Sequence, residues 1–107
     1  MPDRPSPPAA RATARRTSLT IDVVLLTPHG RRLTILLTRA SDPKAKERWE
    51  LPWDSVHAEE TLEETAARLA RTALGVPPTL IEQVAAFGDR RRHPAGADVS
   101  VAFLALV

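Results

Sequence analysis

The chain contains no cysteine. Disulfides and thiolate metal sites are therefore excluded, and compartment cannot be read from redox chemistry. No apolar run approaches the ~18 residues that a membrane-spanning helix needs. No helix-turn-helix pattern is visible, which argues against nucleic acid as a partner of this chain. The opening segment, MPDRPSPPAARATARRTS, has almost no large apolar side chain and holds four prolines. It cannot bury enough surface to offset its ordering entropy, so residues 1–18 are expected to be a disordered basic tail. Arg4, Arg11, Arg15 and Arg16 against Asp3 give this tail a charge of +3, within a chain whose net charge is +2. The sequence pI of 9.9 therefore reflects the tail more than the fold. The stretch RRTSLTIDVVLL matches a twin-arginine export signal in part. Asp22 interrupts its apolar region and no small-residue cleavage site follows, so a cytoplasmic location is expected.

What is present is globular. Of 107 residues, 43% are hydrophobic and 26% charged, which suits one small domain spanning residues 19–107. LTIDVVLLT is rich in β-formers, PHGR is turn chemistry, and RLTILLT places Leu33, Ile35 and Leu37 on one face. Together they predict a β-hairpin. SDPKAKER reads as a polar loop, and RWELPWDSV as two short extended steps around a proline bend. TLIEQVAAFG predicts a strand, DRRRHPAGAD a loop, and VSVAFLALV a strand buried on both faces.

One helix stands out. Thr61 and Glu64 form a Thr-x-x-Glu capping box, and Glu63 and Glu64 sit where the helix dipole favours negative charge. Leu62, Ala66, Leu69 and Ala73 recur at helical spacing, with Ala70 and Leu74 widening the stripe. Gly75 suits the position after the last turn, and Pro77 and Pro78 prevent continuation. The spacing predicts a helix over 62–74. Glu64 and Arg68 are four residues apart in the favourable order for an ion pair.

This order of elements resembles the first two-thirds of a Nudix hydrolase domain, whose signature is G-x5-E-x7-R-E-U-x-E-E-x-G-U, with U apolar. Glu60, Arg68, Ala70, Gly75 and Val76 fall at matching spacing. LPWDSV stands where the family commonly has Leu-Pro-Gly-Gly-Phe-Val. The segment FGDRRRHPAGADVSVAFLALV is similar to one in the ADP-ribose pyrophosphatase-like branch and in Nudix-related transcription regulators. The resemblance implies an α/β (α+β) fold, with a Nudix-like mixed β-sheet and one capped Nudix helix. The chain stops inside an apolar strand, so an incomplete α/β/α sandwich is expected, with a homo-oligomer or a partner chain covering the exposed sheet.

Departures from the signature bear on function. Family members hold Mg²⁺ with hard oxygen ligands on one helix face, and the metal activates the attacking water. Here the three carboxylate positions are Leu69, Thr72 and Ala73, and the signature glycine is Asp54. The resemblance therefore implies impaired catalysis, with Glu60 and Arg68 as motif remnants and no metal cofactor. It leaves residual binding of a nucleoside diphosphate derivative such as ADP-ribose. Arg39, Arg91 and Arg92 match regions where family members meet phosphate. The alternatives are an active diphosphohydrolase holding Mg²⁺ through Asp54, His57, Glu59 and Glu60, and a protein-interaction or regulatory module. Arg68 is expected to pair with Glu64 or a loop carboxylate, with phosphate contact as the alternative. His29 and His93 are expected to be exposed loop residues.

Overall fold

A computed structural model describes residues 17–40, 48–89, 93 and 95–107. The expected tail up to residue 16 and the loop at 41–47 lie outside the described residues. Strand β1 (Leu19–His29) turns through Gly30 into β2 (Arg32–Ile35). Gly30 takes φ 64°, a left-handed value that glycine adopts without steric cost. The predicted hairpin is thus present, with Leu26 opposite Ile35 and His29 opposite Arg32. Two short strands, β3 (Thr38–Arg39) and β4 (Trp49–Glu50), pair as a separate ribbon. Strand β5 (Trp53–Ser55) follows the Pro52 bend and pairs antiparallel with β1.

Helix α1 covers Leu62–Leu74, the span predicted. Both halves of the capping box are made. The Glu64 amide donates to the Thr61 hydroxyl over 3.0 Å, and the Thr61 amide to the Glu64 carboxylate over 2.7 Å. Gly75 ends the helix at φ 80°, its N–H donating to the Arg71 carbonyl. Strands β6 (Leu80–Phe87) and β7 (Val99–Leu106) complete the main sheet.

The main sheet is mixed, in the order β2-β1-β7-β6, with β5 added along β1. Strand β7 runs parallel to β1 from Leu19↔Val99 to Leu26↔Leu106 and antiparallel to β6. The apolar VSVAFLALV segment therefore lies inside the sheet, not at an edge as it would if left bare. Alternation sorts its two faces. Ile21, Val23, Leu25, Val101, Phe103 and Ala105 point to the helix and form the core with Ala66 and Ala70. Full burial of side chains such as Phe103, Ile21 and Leu25 contributes ~1.5–3 kcal/mol each. The opposite face leaves Leu33 63% and Ile35 52% exposed, because their strand lies at the sheet's border.

Candidate functional site

The helix enters from a tight loop. The Glu60 amide donates to the His57 carbonyl, and Glu59 takes φ 67°, rare for a residue with a side chain. This turn brings Glu60 under the first turns of α1. There its carboxylate accepts from the His57 amide and the Thr65 hydroxyl, each over 2.9 Å.

Arg68 closes the arrangement. Its Nε donates to Glu60 Oε2 over 2.8 Å, and Nη2 reaches Glu60 Oε1 over 3.1 Å. Nη1 donates to Asp54 Oδ2 over 2.8 Å, and Nη2 also to the Ser55 carbonyl over 3.3 Å. One guanidinium thus ties the loop, strand β5 and the helix together. Two parallel N–H···O bonds to one carboxylate are the strong, geometrically specific form of this pair. The hydrogen bond from Arg68, then that from the His57 amide, hold Glu60 down at about 2. For Asp54, partial burial works upward, but the hydrogen bonds from Arg68 and the Ser55 amide and the nearby charges of Arg68 and His57 outweigh it. Its carboxyl lies below the ordinary value. Arg68 is raised in turn, by Glu60 first and then Asp54.

Of the partners expected for Arg68, the structure selects loop carboxylates rather than Glu64. Glu64 instead closes the cap, accepting from the Thr61 amide. The Arg68 side chain is 29% exposed and its donors face carboxylates and the Ser55 carbonyl, which leaves little of it for phosphate. The residues weighed as substitute ligands are engaged with one another and with Arg68. His57 Nε2 lies 3.1 Å from Asp54, but Asp54 and Glu60 are both taken by Arg68, and Glu59 is exposed. Among the described residues no group of three or more His, Asp or Glu side chains could hold a metal ion.

Beyond the clamp lies a cavity of about 510 Å³. Thr38 and Arg39 of β3, Glu50 of β4 and the run Pro52, Trp53 and Asp54 form one wall. Leu69, Thr72 and Ala73 of α1 form the other. Leu69 and Ala73 also pack against the core, as the apolar stripe predicts. The Arg39 guanidinium lies over the Trp49 ring, 5.5 Å from its centroid. Trp53 Nε1–H donates to Glu50 Oε1 over 2.9 Å. Arg91 and Arg92 lie outside the described residues.

The sequence model of the NUDIX domain matches residues 16–107. The chain belongs to the Nudix family. Several relatives are similar to it. The ADPR responsive transcriptional repressor NtrR of Acinetobacter baylyi is 32% identical over 91 residues, covering 83% of this chain and 36% of the repressor. The NUDIX domain of Shewanella oneidensis NrtR, solved in complex with ADP ribose, is 32% identical with a TM-score of 0.74. The match covers 95% of this chain and 66% of that one. Shewanella NrtR solved with a 27mer DNA is 34% identical with a TM-score of 0.73, over 83% of this chain and 42% of that one. The chain thus spans well under half the length of the repressor and of the DNA-bound regulator. As a Nudix domain, it carries Leu69, Thr72 and Ala73 on the cavity wall where the signature has its carboxylates.

His93 corrects a sequence expectation. It is not an exposed loop residue: its side chain is 0% exposed. Its Nε2 lies 3.0 Å from Asp22 Oδ2 and 3.2 Å from the Thr20 hydroxyl. His29, as expected, is exposed at the hairpin tip. The signal for His93 was Asp22, a carboxylate inside the apolar run of a central strand, which burial obliges to find a partner.

Proposed function

We propose that this Nudix domain binds a nucleoside diphosphate derivative of the ADP-ribose type and has lost metal-dependent hydrolysis. One observation carries the reading. The cavity keeps its volume and a cationic side chain, Arg39, while the helix wall offers it two apolar side chains and one hydroxyl. Mg²⁺ demands near-octahedral oxygen coordination, usually with one or two carboxylates. Leu69, Thr72 and Ala73 do not fit that requirement. Arg68 clamps Asp54 and Glu60, two of the carboxylates preceding the helix. A guanidinium lining the cavity can meet a diphosphate bidentately, and in this reading Arg39 takes that role.

Two of the similar proteins support the ligand class, one an ADPR-responsive repressor and one a domain bound to ADP ribose. They also favour a second reading, a ligand-sensing module in a regulator. The Shewanella complex with DNA bears on that protein. For this chain DNA is not among the proposed partners, and no described helix is long and apolar enough to cross a membrane. Titration calorimetry with ADP-ribose tests the reading. The chain should bind without added Mg²⁺, and Arg39→Ala should weaken binding about tenfold, the loss of roughly one charge-assisted contact. No heat of binding from the unmodified chain would overturn it.

A further inference from the structure

We infer that His93 is a positioning residue for the cavity, holding Trp53 and, through Trp53, the carboxylate of Glu50. The inference rests on the ligand-binding role of the cavity proposed above.

The Ala95 amide donates to His93 Nδ1 over 3.0 Å. Nδ1 is therefore the acceptor nitrogen, and the ring proton belongs on Nε2, facing Asp22 Oδ2 at 3.0 Å. The other Asp22 oxygen accepts from the Thr20 hydroxyl over 3.0 Å, and the Ser100 hydroxyl lies 3.1 Å from Thr20. Among the described residues no buried side-chain polar atom lacks a partner. The imidazole is thus fixed in position and tautomer by three elements: β1, β7 and the loop before β7.

The fixed ring then meets Trp53. The two ring centroids are 5.0 Å apart with planes at 83°, an edge-on contact. Asp22 and Trp53 are register partners on β1 and β5, so their side chains share one face. At its other end the indole donates to Glu50. Trp53 and Glu50 line the cavity, whereas His93 and Asp22 do not. Burial alone accounts for the bond between Asp22 and His93. It does not require the imidazole to pack against an indole whose N–H holds a cavity carboxylate. That continuity, Asp22 to His93 to Trp53 to Glu50, is what points to positioning.

Trp49 and Trp53 are the two tryptophans of the chain, so a Trp49→Phe version reports Trp53 emission alone. Adding His93→Gln keeps a donor for Asp22 and removes the ring. Trp53 emission should move to the red and become more accessible to acrylamide. In the chain that retains Trp49, His93→Gln should weaken ADP-ribose binding about tenfold. His93→Phe, which restores the ring edge, should recover part of that affinity. Should either variant fold poorly, the unmodified chain decides by NMR: ADP-ribose should shift the Trp53 indole N–H and the His93 ring signals together. Unchanged emission and affinity in His93→Gln would overturn the inference. So would ligand shifts confined to cavity residues while His93 stays still. If the unmodified chain takes up no ADP-ribose, the functional reading above falls, and the Trp53 emission comparison alone then decides the positioning role.

Discussion

The two ends of helix α1 treat the cavity side in opposite ways. At the N-terminal end several polar groups have charged or capping partners: Thr61 with Glu64, Thr65 with Glu60, Arg68 with Glu60 and Asp54. One turn later, Leu69, Thr72 and Ala73 present apolar groups and a hydroxyl to the same cavity. Both ends belong to one signature frame, yet they are under different physical demands. The clamp ties loop, strand and helix together and so contributes to folding whatever the chemistry. Carboxylates on the next turn would repel one another and would need a cation to offset that repulsion. In this chain apolar packing stands there instead. Holding the helix in place and presenting ligands are thus separable properties of the Nudix helix.

Restoring the ligands is the strongest way to break this contrast. Leu69→Glu, Thr72→Glu and Ala73→Glu combined should lower the melting midpoint in EDTA, because three carboxylates within two turns repel and Leu69 loses its packing. Saturating Mg²⁺ should then raise that midpoint by about 10 °C, as expected for a ligand held only by the folded state. The unmodified chain should show no such rise. If the triple variant ignores Mg²⁺, the cavity shape rather than its missing ligands is at fault.

The clamp should show the reverse behaviour. Arg68→Met keeps a long apolar side chain but leaves two carboxylates facing each other without a counter-charge. Its melting midpoint should fall by about 5 °C or more irrespective of Mg²⁺. A midpoint equal to that of the unmodified chain would mean the clamp does not hold the loop.

A smaller effect separates the same two regions by acid. The folded state holds Glu60 and Asp54 below their ordinary values, so it favours their charged forms. The stability they contribute is fully present above the unfolded values and is lost as pH falls through the folded ones. For Glu60 that window runs from 4.5 down to about 2. Urea midpoints of the unmodified chain should decline through it, and Arg68→Met should show a flatter profile there. Equal slopes in the two proteins would assign the acid sensitivity elsewhere.

Much of the fold was legible because local signals agreed. The capping box and Gly75 set both ends of α1, and the turn residues together with alternation set the hairpin. The site was legible less evenly. Arg68 has three carboxylates within reach along the sequence, and spacing alone favoured Glu64. The fold decides for Glu60, which the turn before the helix brings within 2.8 Å of the Arg68 guanidinium. His93 reads as exposed because it stands beside Pro94 in a loop-like segment. Its burial depends on Asp22, 71 residues away in the chain, through strand pairing that periodicity does not encode. The bond from Trp53 to Glu50 spans only three residues, but it follows from the bend at Pro52 and had no pattern of its own.

The central claim is that the cavity binds but does not cleave. Its most direct measurement follows ADP-ribose incubated with the chain and Mg²⁺, with and without EDTA, by separating substrate from AMP and ribose phosphate. No turnover above the uncatalysed background is expected in either mixture, at protein concentrations where calorimetry registers binding. Turnover that EDTA abolishes would contradict it, and would show that this helix holds a working metal site without the signature carboxylates.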